Sequence, residues 1–397
     1  MSGDDLRVRG GAGGVAAELE RLEEAARALL RSGAVLAALG VELSAVRLSP
    51  ALAPVALLDP EGVARAQVLA ARALGLHGVT GLAARTAGLG TALAGATAGY
   101  RGAEAAAGAV VAGVRMSVRT AVGPGVVLAL TGAGLAAAAS GADGGTRTVV
   151  VGARVPVPAG RPASGVGELL SRVESLAPAG PAASRAAASA APPGRVRVER
   201  IARGGAPSAA VVYIPGTQTW AVGGPVPMDA ATNVRALAGG RTASGDAVTR
   251  ALRLAGVGPR EPVLLVGHSQ GGMTAAALAA APSFRAEFLP VAVLTAGAPL
   301  TGVDVPPDVA VLALEHTGDL VPLVDGARPA DTPDWTTVVA DPGAAPPHGL
   351  TGYARTGALV DASEHASVLA WREAAAPFLD GGGARSTSTD WVARRAG

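Results

Sequence analysis

The apolar positions change period along the chain, and each period predicts a different architecture. Val15, Leu19, Leu22, Ala26, Leu29, Gly33 and Leu36 recur at alternating steps of four and three. Such a stripe is the seam of a helix that packs on another helix, with Glu18, Glu20, Arg21, Glu23, Glu24 and Arg27 mostly on its other faces. Pro50, Pro54 and Pro60 break the run. Asp59-Pro60-Glu61 then supplies a capping side chain, a first-turn proline and early negative charge for a new helix. An Ala-rich helix runs on toward Tyr100, with breaks expected at its glycines. The pattern predicts an α-helical, hairpin-type domain over 1–145. A lone hairpin leaves its seam uncovered, so a helical partner or self-association is expected.

Residues 120–142 carry no charge, enough length to reach across a bilayer. Pro124 and several glycines interrupt them, and Ala and Gly add little to insertion. A covered helix is the first expectation and membrane contact through 120–142 the second. Over 146–194 the composition shifts to Ala, Pro, Gly and Ser, which reads as a linker with a short helix near Gly167 to Leu176.

From Arg195 short apolar runs alternate with helical ones. Val196 to Ile201, Ala209 to Ile214, Val263 to Val266, Val291 to Thr295, Val309 to Leu314 and Trp335 to Val339 read as strands. Ser244 to Ala255 and Gly272 to Ala280 read as helices between them. Alternation of this kind predicts an α/β domain over 195–380, a mainly parallel sheet flanked by helices. The polar stretch 381–397 reads as a disordered tail.

Composition narrows the function. Apolar residues make up 49% of the chain and charged residues 16%, which supports a sizeable core and excludes a disordered chain. The 33 basic residues, all Arg, nearly balance 31 acidic ones, and no Arg cluster matches a run of phosphates, so no nucleic-acid partner is expected. The absence of Cys removes thiolate chemistry and disulfides without indicating a compartment. Asp4 and Asp5 with no apolar run in the first ten residues argue against a signal peptide. Localisation stays open between the cytoplasm and a secreted or envelope-associated state.

The segment Val263-Leu264-Leu265-Val266-Gly267-His268-Ser269-Gln270-Gly271-Gly272 is where chemistry concentrates. A buried strand enters a Gly-x-Ser-x-Gly turn and a small-residue helix leaves it, the setting a serine nucleophile needs. The bland alternative is a glycine-rich turn with an incidental Ser269. A nucleophilic serine needs a base and an acid that orients it. In such a sheet the acid follows a later strand and the histidine a loop after the last one. Asp319 and His348 occupy those places, with Glu315 and Asp325 as rival acids and His365 as rival base. His268 sits beside the nucleophile, His316 too near Asp319 to be oriented by it, and His77 in the helical stretch. Two amides are needed for a developing oxyanion, and Gln270 and Thr217, the latter after Pro215-Gly216, are the candidates.

Ile214-Pro215-Gly216-Thr217, Gly267 to Gly272, Gly297-Ala298-Pro299, Asp319-Leu320-Val321-Pro322 and His348 to Tyr353 together resemble an α/β-hydrolase. Within that fold they are most similar to the lipase class 3 group and the PE-PPE-type serine hydrolases of actinobacteria. The resemblance spans about half the chain. It implies a catalytic triad of Ser269, His348 and Asp319, oxyanion donors at Thr217 and Gln270, and esterase action on ester or lipid-like substrates without cofactor or metal. Gln270 stands where many lipases carry Leu, and no long apolar lid follows. Tyr100-Arg101-Gly102-Ala103-Glu104 resembles the Tyr-x-x-x-Asp/Glu signal of type VII secretion substrates, although their Trp-x-Gly turn is absent. Two alternatives remain: a secretion-associated or interaction protein with a non-catalytic hydrolase-like domain, and an acyltransferase using the same residues.

Overall fold

The computed structural model describes residues 6–47, 52–75, 77–122, 149–177, 193–204, 206–220, 223–300, 302–324 and 332–396. They fall into two compact units, Glu18–Val111 and the combination of Met1–Ala17 with Ala112–Gly397. Among the described residues, the N-terminal region holds the helices α1 (Val15–Arg47), α2 (Leu52–Leu58), α3 (Pro60–Leu74) and α4 (Val79–Val122).

In the Glu18–Val111 unit, α1 and α4 run antiparallel and meet on small residues. A Cβ on Gly33 would lie 3.1 Å from that of Ala87, and one on Gly90 would lie 3.0 Å from the Ala26 carbonyl oxygen. Arg101 and Glu23 close this packing at 2.9 Å. Of the expected seam, Ala26 and Gly33 are buried while Leu22 stays 41% exposed. Asp59 caps α3, accepting from the Gly62 amide at 2.8 Å. The helix is interrupted between Leu74 and Val79, at Gly75 and Gly78 as expected, whereas α4 passes its later glycines unbroken, which corrects the expectation of interruptions there. Its alanines and the intact i→i−4 ladder outweigh the roughly 1 kcal/mol cost of each glycine. Of the apolar segment 120–142, residues 123–142 lie outside the described residues.

The other unit is an α/β structure. Its strands are β1 (Arg7–Gly10), β2 (Val149–Gly160), β3 (Arg195–Arg203), β4 (Ala206–Ile214), β5 (Pro262–His268), β6 (Leu289–Ala296), β7 (Ala310–His316), β8 (Trp335–Ala340) and β9 (Arg385–Arg395). Its helices are α5 (Val166–Glu174), α6 (Ala230–Leu237), α7 (Ala243–Leu254), α8 (Gln270–Ala280), α9 (Pro282–Arg285), α10 (Leu350–Asp361) and α11 (Ala366–Ala375). One sheet takes the order β1-β8-β7-β6-β5-β4-β3-β9-β2. β4 through β8 are mutually parallel, and antiparallel strands extend both edges.

The parallel strands are covered on both faces, which is why they read as unbroken apolar runs. Leu265, Val293 and Val311 face α7 and α8, whereas Leu264, Leu294 and Leu312 face α5, α10 and α11. Each alternation of side chains therefore feeds one of two cores, in a layered helix–sheet–helix arrangement.

Three expectations need correction. Of the stretch read as linker, Val149–Gly160 forms β2 instead, while the short helix expected near Gly167 to Leu176 is present as α5. α5 buries Leu169, Leu170 and Val173 and has its first amides bound by Asp361, at 2.7 Å from Val166 and 3.0 Å from Gly167. The expected tail contains β9, which lies between β3 and β2. Buried Asp390 on that strand receives Arg195 at 2.8 Å and Arg197 at 2.6 Å from β3, so its polar sequence is paired rather than solvated. Finally, residues ahead of the first helix form β1 on the β8 edge rather than belonging to a helical domain. Residues 178–192, also read as linker, lie outside those described.

Candidate active site

β5 buries Val263 through Val266 and ends at Gly267-His268, after which the chain reverses directly into α8. Ser269 makes the reversal with φ 53° and ψ −121°, the one non-glycine residue with positive φ among those described. Holding a side chain in this region costs about 1–3 kcal/mol. Its surroundings are cleared for it: a Cβ on Gly267 would strike the Gly271 carbonyl, and one on Gly271 the Ile214 carbonyl. On Gly272 a Cβ would stand 2.6 Å from that of Ala298. The Ser269 amide donates to the Ala296 carbonyl at 2.9 Å, which ties the turn to β6.

Asp319 follows β7 and His348 precedes α10. His348 Nε2 lies 3.0 Å from Ser269 Oγ, and its Nδ1 lies 2.8 Å from Asp319 Oδ2. An ionised carboxylate only accepts, so Nδ1 carries the proton and Nε2 is left to accept from the serine hydroxyl. Asp319 Oδ1 accepts from the Val321 amide at 2.9 Å, and Oδ2 also accepts from the Tyr353 hydroxyl at 2.6 Å. Burial pushes the Asp319 carboxyl up, but hydrogen bonds from His348, Tyr353 and Val321 outweigh it and hold the group below the usual carboxylate range. Burial, together with the Asp319 charge, pushes the Tyr353 hydroxyl up, so it remains a donor.

Two of the rivals are occupied elsewhere. Glu315 pairs with Arg9 at 3.4 Å, and His365 caps α11 by accepting from the Ser367 amide at 3.2 Å. Asp325 lies outside the described residues, and His77 is exposed on a helix-ending turn.

The loop after β4 comes close to the serine, since a Cβ on Gly216 would lie 3.2 Å from that of Ser269. Thr217 follows it. Gln270 opens α8, where a helix leaves its amides without internal partners. Its side chain turns away and donates to the Asp229 carbonyl and to Asn233 Oδ1, both at 2.7 Å. Asn233 Nδ2 in turn donates to Thr217 Oγ1 at 3.0 Å. Asp229 caps α6 and is itself held by Arg395 of β9 at 2.8 Å. Sequence reasoning misses this brace entirely. Asn233 stands out only as the one Asn in the chain, and Arg395 and Asp229 meet across 166 positions.

A cleft of about 640 Å³ opens over Ser269. Pro215, Leu237, Met273, Pro299, Val321 and Leu350 give it apolar walls. Trp220, 72% exposed, and Leu320, 61% exposed, stand among the lining residues. No arginine contributes to the described lining, and Glu174 is its one carboxylate.

No protein-family model, curated protein or solved structure matches this chain.

Proposed function

We propose that the protein is a serine hydrolase of the α/β-hydrolase fold that cleaves carboxylic esters. The observation that carries this reading is the line Ser269 Oγ–His348 Nε2–Asp319 at 3.0 and 2.8 Å, with the serine held at positive φ between a strand and a helix. Ser269 Oγ attacks the ester carbonyl while His348 Nε2 takes its proton, and Asp319 stabilises the imidazolium that forms. Negative charge on the carbonyl oxygen is met by the Gln270 and Thr217 amides, with α8 directing its N-terminal dipole at the same place. Collapse expels the alcohol, protonated by His348, and leaves an acyl group on Ser269. Water, deprotonated by His348, then attacks the acyl carbonyl and releases the acid.

The cleft supports an ester whose acyl or alcohol part is apolar and uncharged, because its described walls offer surface to cover and no cation to pair with an anion. The likeness to lipase class 3 and PE-PPE-type hydrolases belongs to this same proposal. The test is hydrolysis of uncharged phenyl esters, together with labelling by a fluorophosphonate, in the wild type and in Ser269→Ala. Both are expected in the wild type and neither in the variant. Ester turnover that survives in folded Ser269→Ala protein rules the reading out.

A further inference from the structure

Two imidazoles beside the reacting residues take no part in the steps above. His268 ends β5, and His316 ends β7 two strands away in the sheet order. Both reach the turn that carries His348. His316 Nδ1 lies 2.8 Å from the Pro347 carbonyl oxygen, and His268 Nε2 lies 3.2 Å from the His348 carbonyl oxygen. A carbonyl only accepts, so each of these ring nitrogens carries a proton and donates. The two acceptors are consecutive carbonyls of one turn.

Each ring is itself held. His316 stacks flat on Tyr353, with centroids 3.7 Å apart and planes 3° apart, and its Nε2 accepts from Thr356 Oγ1 at 2.8 Å. His268 packs beside the His348 ring at 4.8 Å between centroids. Burial lowers the pKa of both, that of His268 to about 4, so both stay uncharged near neutral pH. They are then donors of a single N–H each, without adding positive charge next to His348.

We propose that His268 and His316 form a two-point clamp on the Pro347 and His348 carbonyls that fixes the His348 ring between Ser269 and Asp319. They are positioning residues, and the inference rests on the reading of Ser269, His348 and Asp319 as the reacting groups. A turn tied only at its ends would let the imidazole swing, and displacement of about 1 Å at a reacting group costs on the order of a hundredfold in rate.

Isosteric pairs separate donation from packing. His268→Gln keeps a donor near the Nε2 position and His268→Met removes it, whereas His316→Asn keeps one near Nδ1 and His316→Leu removes it. The first readout is the downfield NMR signal of the proton between His348 Nδ1 and Asp319, assigned by its loss in His348→Gln. The second is kcat and KM on an uncharged phenyl ester. The clamp predicts that His268→Met and His316→Leu lose or broaden the signal and drop kcat about tenfold each with KM nearly unchanged. His268→Gln and His316→Asn keep the signal and stay within about threefold of the wild type. Equal losses in donor-keeping and donor-removing variants overturn the clamp, as do unchanged signals in all four or a wild type without the signal. If the signal follows the clamp while the wild type hydrolyses no ester, the clamp stands and the esterase reading falls.

Discussion

The two compact units of this chain use the same small residues to opposite ends. In Glu18–Val111, glycines and alanines such as Gly33, Gly90 and Ala26 bring two helix backbones together, and the large apolar side chains are half-buried, as at Leu19, Leu29 and Leu36, or left outside. Val35 is 68% exposed, Leu57 87% and Leu58 89%. α3 buries no residue at all. In the α/β unit the large residues go inside, and glycines are gathered around one serine. Gly267, Gly271 and Gly272 clear the space in which Ser269 is held in a conformation that its own side chain disfavours. A sheet with two buried faces stores that strain because its core can outweigh it. A helix pair meeting on small residues has little core to spend on such a device.

Substitutions in each unit sharpen the contrast, and the largest effect belongs to Ser269. Ser269→Ala is expected to lower ester turnover by at least about ten-thousandfold, read from initial rates, while the melting transition of the α/β unit is retained. Next comes the buried pairing under the sheet. Arg172 contacts both carboxylate oxygens of Glu199 at 2.7 Å, and Tyr213 donates to the same group at 2.5 Å. Arg172→Met takes the cation from the fully buried Glu199 and leaves it the Tyr213 hydroxyl, and urea unfolding should show a loss of about 3 kcal/mol.

Acid should weaken the α/β unit before it affects the helical one. His268 is held at about 4 in the folded chain by burial and by His348, against an ordinary 6.5. Between those values the unfolded chain binds the extra proton. This contribution is therefore complete above about pH 6.5 and declines as the pH falls toward 4, by about 2 kcal/mol from pH 7 to 5. The depressed Asp319 carboxyl adds a loss at still lower pH. Denaturation curves at the two pH values check this, and His268→Gln should flatten the difference.

The helical unit should respond only to its own contacts. Gly90→Val drives a side chain onto Leu30 and the Ala26 carbonyl, and should cost that unit about 1–2 kcal/mol while ester turnover stays unchanged. The smallest effect is expected at Leu69, 64% exposed on α3, where Leu69→Ala should move unfolding by less than about 0.5 kcal/mol. A larger loss there would mean that α3 is covered in solution, and the contrast between the units would weaken.

Much of this was legible in the chain, for identifiable physical reasons. Strands buried on both faces announce themselves as apolar runs, so the parallel sheet and the turn at Ser269 could be read directly. Asp319 and His348 followed from the order of strands, and the folded chain brings their side chains into one line with Ser269. β9 could not be read this way, because Ser, Thr, Asp and Arg on a buried strand look like a solvated tail until Asp390 and Arg395 find their partners. β2 hid in Ala, Pro and Gly-rich sequence because its pairing partner, β9, lies far along the chain, whereas the helical period of α5 could be read within the same stretch. Tyr353, Asn233 and the donor roles of His268 and His316 depend on long-range contacts that carry no local pattern.

The most direct test of the account is to trap the acyl group. Protein mixed with an activated, uncharged ester and quenched in acid within the first turnovers is digested and its peptides are weighed. The account predicts one acyl group on the peptide containing Ser269 in the wild type, and none on that peptide in Ser269→Ala. An acyl group on another residue, or turnover with no acylated peptide at any time, would contradict it.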